Sequence, residues 1–214
     1  MQKIGIFGGT FDPIHNGHLA IAEAALKLGN LDQVIWVPVN QAHHKSFQTS
    51  ASIEQRRQML EIAISNYPKF TLILPELTSF YAIDTKIKLE QTYPNKHWSW
   101  ILGLDTFLTL PKWYQCQQLC ETVDWIIAPR SLSDFKLTEI NNSPEELCKE
   151  VARQLWKKGK IVRWQILNSP QIDISSTIIR QRCFLNQTID GLVPKEIITY
   201  IKNQKIYLIE TLYK

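Results

Sequence analysis

The densest chemistry in the chain lies in one stretch, Gly5-Ile6-Phe7-Gly8-Gly9-Thr10-Phe11-Asp12-Pro13-Ile14-His15-Asn16-Gly17-His18. It follows a strand-like apolar run and precedes a helical pattern. Gly8 and Gly9 allow the backbone to pass close to a bulky anion. A helix starting near Gly17 offers N–H groups and the positive end of a dipole, which suits phosphate. His15 and His18 are three residues apart, so if the helix begins at Asn16–His18 both imidazoles face one pocket. There they can donate hydrogen bonds to phosphoryl oxygens as charge develops. The plain alternative is a Gly-rich turn with two satisfied surface histidines; the glycines, Pro13 and the strand–turn–helix context argue together against it. A metal site at His15 and His18 lacks a third ligand at evident spacing. Neither a GK[ST] element nor GxGxxG is present, which excludes a Walker loop and a dinucleotide fingerprint.

A second constellation is Asp173-Ile174-Ser175-Ser176-Thr177-Ile178-Ile179-Arg180. Its Ser and Thr residues suit the N-cap of a following helix. Thr177 and Arg180 share a helix face, and Arg180 can grip two phosphate oxygens bidentately. Alone, the segment reads more readily as a capped helix with a solvated Arg. In the middle of the chain, Gly103-Leu104-Asp105 follows a strand end, where a carboxylate can accept bonds from ribose hydroxyls or simply cap the next helix. Trp113-Tyr114 offers an indole that can stack on a flat ring or pack in a core. Phe80-Tyr81-Ala82 precedes a helix whose first N–H groups could hold a carboxylate.

These residues need a frame. β-branched runs at Lys3–Phe7, Gln33–Val37, Phe70–Leu74, Trp98–Leu102, Val123–Ala128 and Ile161–Ile166 read as strands, the last as a central one. Helical periods cover Leu19–Leu28, Ile53–Ser65, Ala82–Glu90, Pro144–Lys157, Ser176–Phe184 and Lys195–Lys202. The alternation predicts an α/β fold, a Rossmann-like doubly wound parallel sheet with C-terminal helices. Ligands in such sheets sit beyond the carboxyl ends of the strands. One domain over 1–214 is expected, with 173–214 as a helical part packed on it. The polar stretches Val39–Ser52 and Ser131–Ser143 read as connectors, the first as a mobile loop.

Composition narrows the function classes. The chain has 214 residues, 44% apolar and 21% charged, and 24 basic against 20 acidic residues leave a net charge of +4. That excess is too small to announce nucleic acid, and the tryptophans are scattered without a basic stripe. No apolar run is long enough to span a membrane. The N-terminus lacks a signal-peptide pattern. Cys116, Cys120, Cys148 and Cys183 form neither a CxxC pair nor a disulfide framework, so a reducing, cytoplasmic setting is expected, with buried or idle thiols.

The N-terminal segment resembles the GxFxPxHxGH motif of the nucleotidyltransferase superfamily, with Phe11, Pro13, His15, Gly17 and His18 in place. Ser175 to Arg180 resembles its second motif in the SxTxxR form of the pyridine-mononucleotide branch. Nearly the whole chain, Ile4 to about Ile201, is similar to the bacterial nicotinate-nucleotide adenylyltransferases, including Ile53–Leu60 and Pro194–Ile201. The resemblance implies adenylyl transfer from ATP to nicotinate mononucleotide, with Mg²⁺ carried on the ATP and no metal ligand that can be named in the protein. It implies catalytic roles for His15, His18 and Arg180. ATP would be held by Gly8, Gly9, Thr10, Phe11, Gly17, Gly103, Asp105, Ser176 and Thr177. The acceptor would meet Tyr81, Ala82, Trp113, Tyr114, His44 and Lys45. The family often has Ser-Tyr-Thr where this chain has Phe80-Tyr81-Ala82, and Pro-Pro-His where it has Ala42-His43-His44-Lys45. Nicotinamide mononucleotide as acceptor, and a nucleotide-binding module without catalysis, stay open at this point. So does a homo-oligomer.

Overall fold

The computed structural model describes residues 1–39, 50–129, 143–168 and 174–208. In chain order its elements are β1 (Lys3–Gly9), α1 (Asn16–Leu28), β2 (Gln33–Pro38), α2 (Ile53–Ile64), β3 (Phe70–Leu72), α3 (Ala82–Thr92) and β4 (His97–Gly103). Then come α4 (Leu104–Phe107), α5 (Cys116–Thr122), β5 (Asp124–Ala128), α6 (Pro144–Trp156), β6 (Trp164–Ile166), α7 (Ser176–Phe184) and α8 (Lys195–Asn203). The six strands form one parallel sheet in the order β3-β2-β1-β4-β5-β6, the doubly wound arrangement expected of the pattern.

Side chains alternate across the sheet because successive strand residues point to opposite faces. Phe7, Val34, Trp36, Ile101 and Ile126 face one layer with α1, α2, α7 and α8. Ile4, Ile6, Ile35, Trp98, Trp100 and Trp125 face the other, under α3, α4, α5 and α6. Burial on both faces is why the strands read as unbroken apolar runs rather than alternating ones. Local signals set helix starts. Ser52 with Gln55 and Ser143 with Glu146 each close a reciprocal capping box, satisfying two orphan donors apiece.

Two expectations are corrected. Ile161–Ile166 shortens to Trp164–Ile166 and lies at the edge of the sheet, not its centre. Ile161 is 63% exposed beside Trp156 at 65%, so its apolarity reflects an outer surface rather than a strand interior. The third strand also stops early, at Leu72, because Pro75 opens a short 3-10 turn. Most of the connector Ser131–Ser143 and most of Val39–Ser52 lie outside the described residues. Among those described, no helix is long and apolar enough to cross a membrane.

Candidate active site

The strand order turns over between β1 and β4, which pair from Lys3 opposite His97 to Phe7 opposite Ile101. β1 is followed by β2 on one side, whereas β4 is followed by β5 on the other. The carboxyl ends at Gly9 and Gly103 therefore flank the switch crevice where such sheets take ligands. Both glycine-bearing segments singled out in the sequence arrive there by topology alone.

The turn after β1 is held by residues remote in sequence. Phe11 takes a left-handed backbone, φ 50°, and drives its ring into the core at 1% exposure. The ring meets Phe7 at 5.4 Å, Trp36 at 5.3 Å and the His18 imidazole at 4.9 Å between centroids. A Cβ on Gly9 would lie 2.8 Å from this ring. Gly9 is therefore small to admit Phe11, whose side chain faces the core, so a contact of either residue with ATP would be made through the main chain. A Cβ on Gly8 would make only ordinary contact with Trp100, at 3.5 Å.

Arg56, fully buried on α2, donates to the carbonyls of Thr10 and Val39 at 2.7 Å each, and to that of Ala51 at 3.3 Å. Burial lowers its pKa from the usual guanidinium value, while neighbouring Asp12 opposes the shift. Asp12 is itself buried and accepts from the Ser50 amide at 2.8 Å, the Ala51 amide at 3.1 Å and the Tyr207 hydroxyl at 2.7 Å. The C-terminal motif closes on the same turn. Ser176 Oγ donates to the Pro13 carbonyl at 2.9 Å. Arg180 donates to the Asp12 carbonyl at 2.7 Å and to Thr177 Oγ1 at 3.3 Å. Two motifs about 160 residues apart thus share one turn, with Ser175 as the N-cap of α7.

His15 is the N-cap of α1, and the two histidines form a capping box made of imidazoles. His15 Nδ1 accepts from the His18 amide and His18 Nδ1 accepts from the His15 amide, both at 3.3 Å. The rings stack 3.6 Å apart at 22°. Because each Nδ1 accepts, the hydrogen-bond pattern assigns the proton of each ring to Nε2. Both residues are buried, at 3% and 7% exposure, which removes the reading as surface histidines. The helix start itself offers fewer amides than expected. The Asn16 amide goes to the Leu192 carbonyl at 2.9 Å, and that of His18 to His15. Gly17 is the buried residue between them.

The structure gathers several of the residues expected to meet the acceptor on the other face of the sheet. Tyr81 is the N-cap of α3 and makes no side-chain cap bond, so Ala82 opens a helix whose dipole favours an anion. The rings of Tyr81 and Tyr114 lie 4.3 Å apart. Trp113 is half-buried, with Nε1 donating to Thr109 Oγ1 at 2.9 Å. It meets Trp100 and Trp125 edge-on at 6.3 and 6.1 Å. Trp100 therefore links Trp113 to the end of β1 at Gly8. Gly103, not Asp105, caps α4; Asp105 occupies its first turn, which removes the capping alternative for the carboxylate. His44 and Lys45 lie outside the described residues. Among the described residues no cluster of three His, Cys, Asp or Glu could hold a metal.

A strand-to-helix turn bearing stacked histidines and fastened to an SxTxxR helix, at the switch of a parallel sheet, defines a nucleotidyltransferase. The family model described as cytidylyltransferase-like matches residues 6–182. A relative from Trichormus variabilis, named "probable nicotinate-nucleotide adenylyltransferase", is 41% identical over 97% of this chain and 98% of its own length. One of the same name from Synechococcus is 36% identical over 97% of this chain and 95% of its own. This chain belongs to the nicotinate-nucleotide adenylyltransferase family. Its fold matches that of Plasmodium falciparum nicotinic acid mononucleotide adenylyltransferase complexed with NaAD, with a TM-score of 0.71 at 21% identity, covering 97% of this chain and 98% of that one.

Asp12, Arg56 and Tyr207 escape a reading of the sequence as site residues. One signal was available. Arg56 falls on the apolar stripe of α2 with Met59, Leu60, Ala63 and Ile64, where a cation must have partners. Nothing local points to Tyr207.

Proposed function

We propose that this protein transfers the adenylyl group of ATP to nicotinate mononucleotide, giving nicotinate adenine dinucleotide and pyrophosphate in NAD biosynthesis. One observation carries the assignment of roles: Arg180 and Ser176 bond to the same turn, Asp12–Pro13, that leads directly into the His15 cap. The 5′-phosphate of the acceptor attacks the α-phosphorus in line, and the bond to the β-phosphate oxygen breaks. The attacking group is already an anion at neutral pH, so no general base is needed. Catalysis consists of positioning and charge stabilisation.

In this scheme His18 donates from Nε2 to the α-phosphate as charge develops, and His15 holds the neighbouring phosphate oxygens. Arg180 has five N–H donors and uses one on Asp12 and one on Thr177, so it can stay anchored while gripping the departing phosphates. Thr177, exposed in the first turn of α7, contributes there as well. Ser176 acts chiefly by fastening α7 to Pro13. Gly103 and Asp105 meet the ribose. Trp113 stacks on the pyridine ring, and the uncapped start of α3 at Ala82, with Tyr81 and Tyr114 beside it, takes the carboxylate. An amide in its place would not gain from the helix dipole. Mg²⁺ carried with the ATP would supply charge neutralisation on its phosphates, and no residue of this chain is named to hold it. We also read the chain as one domain working in the cytoplasm.

The test is pyrophosphate release with ATP and Mg²⁺, comparing nicotinate mononucleotide, nicotinamide mononucleotide and no acceptor. Strong preference for the nicotinate form is expected. Preference for the amide overturns the acceptor assignment, and no release with either overturns the reaction.

A further inference from the structure

Tyr207 lies four residues beyond the end of α8. The chain reaches it through two left-handed residues, Lys205 at φ 51° and Tyr207 itself at φ 65°. A bulky side chain rarely takes that region, and such strain persists only where surrounding contacts enforce it. What this backbone achieves is specific. The Tyr207 ring is 7% exposed, and its hydroxyl donates to Asp12 Oδ1 at 2.7 Å across 195 residues of sequence. Burial beside the Asp12 carboxylate raises the phenol well above its ordinary pKa, so the hydroxyl remains a donor at neutral pH.

Asp12 transmits this contact. Its carboxylate takes Tyr207 together with the Ser50 and Ala51 amides, while its own main-chain carbonyl receives Arg180 at 2.7 Å. The next carbonyl, of Pro13, receives Ser176, and that of Thr10 receives Arg56. The turn that presents the guanidinium of Arg180 is thus oriented through the Asp12 side chain.

We propose that Tyr207 is a positioning residue for the ATP end of the site: through Asp12 it sets the carbonyl that aims Arg180 at the phosphates. The inference rests on the reading of Arg180 as a phosphate ligand given above. Tyr207 touches no substrate in this account, and neither composition nor motif marks it.

The perturbation is Tyr207→Phe, which removes one oxygen and keeps the ring. Two measurements run in parallel: steady-state turnover with ATP and nicotinate mononucleotide, and titration with a non-hydrolysable ATP analogue. The expected result is a rise of about three- to tenfold in the KM for ATP and in the Kd of the analogue, the scale of one weakened hydrogen bond to a charged group. The KM for nicotinate mononucleotide stays unchanged. A general loosening of the fold would not separate the two substrates in this way. Added to Arg180→Lys, Tyr207→Phe is expected to raise the analogue Kd no further, because both changes act through the same guanidinium. Unchanged analogue binding in the folded single variant, or multiplicative losses in the double variant, overturns the proposal. A Tyr207→Phe protein that does not fold also counts against it, since the hydroxyl would then serve the fold rather than the site. If the wild-type protein releases no pyrophosphate, the assigned reaction fails, while the analogue titration still reads the role of Tyr207.

Discussion

The sharpest test separates the two jobs of His18. Its Nδ1 accepts the His15 amide at 3.3 Å and completes the cap of α1, whereas Nε2 is assigned as the donor to the α-phosphate. Alanine removes both. The cap is worth about 1 kcal/mol. The ring contacts, stacked on His15 at 3.6 Å and edge-on to Phe11 at 4.9 Å, add roughly another 1 kcal/mol. For a protein of this size, about 2 kcal/mol corresponds to a fall in Tm of roughly 4–8 °C. Loss of one transition-state donor lowers kcat by roughly 10²- to 10³-fold. Asparagine places an amide oxygen where Nδ1 was, so His18→Asn should recover about 2–4 °C of the lost Tm while its kcat stays as low as that of His18→Ala. Glutamine instead places its amide near the position of Nε2. His18→Gln should therefore recover roughly tenfold in kcat over alanine, one donor being restored in poorer geometry, and, since a Gln at the third helical position can close a capping box as Gln55 does, part of the lost Tm as well. Thermal melts and pyrophosphate release on the same preparations decide the matter. If kcat simply tracks Tm through the three variants, or if His18→Asn turns over within a fewfold of wild type, the donor role is wrong.

The two adjacent glycines should respond oppositely to a single methyl. Gly9→Ala meets the buried Phe11 ring at 2.8 Å and should cost about 1–3 kcal/mol by overpacking, read as a lower Tm. Gly8→Ala makes ordinary contact at 3.5 Å, so it should melt like wild type and show its effect only in ATP affinity; equal Tm losses would refute the assignment. The four thiols are free and buried, and burial pushes Cys120 and Cys148 up from 9.0 to about 12. A disulfide reagent at pH 8 should therefore label none in the native protein and all of them in urea. Because these groups hold their protons in the folded state where the unfolded chain releases them, their contribution to stability is complete below pH 9 and declines as pH rises toward about 12. Urea midpoints should fall over that window, and less steeply in Cys148→Ala; a flat profile would contradict the burial.

Much of this protein is decided locally and is therefore legible in its residues. The strand–turn–helix run to His18, the Ser cap of α7, and the alternation of apolar runs with helical periods specify a parallel α/β sheet before any contact is known. Capping and periodicity depend on neighbours within about one helical turn, which is why the start of α3 at Ala82 and the span of α7 fall where the pattern puts them. The same local logic misplaced β6, because an apolar residue on an outer surface and one in a strand interior look alike in sequence.

The network around Asp12 could not be read that way. Arg56 is 46 residues from Thr10, Arg180 is 168 from Asp12 and Tyr207 is 195 away, and no periodicity links them. The motif residues also changed partners on folding: Phe11 and Gly9 pack on each other, Ser176 binds Pro13, and the two histidines cap one helix before they meet any phosphate. Sequence alone determined which residues are candidates for the chemistry and what kind of fold must present them, since residue type and short-range spacing suffice for that. Which atoms each one uses, and what holds it in place, was decided by tertiary structure. A buried carbonyl or carboxylate must find a donor, and the donor that satisfies it is whichever group the folded chain brings within about 3 Å.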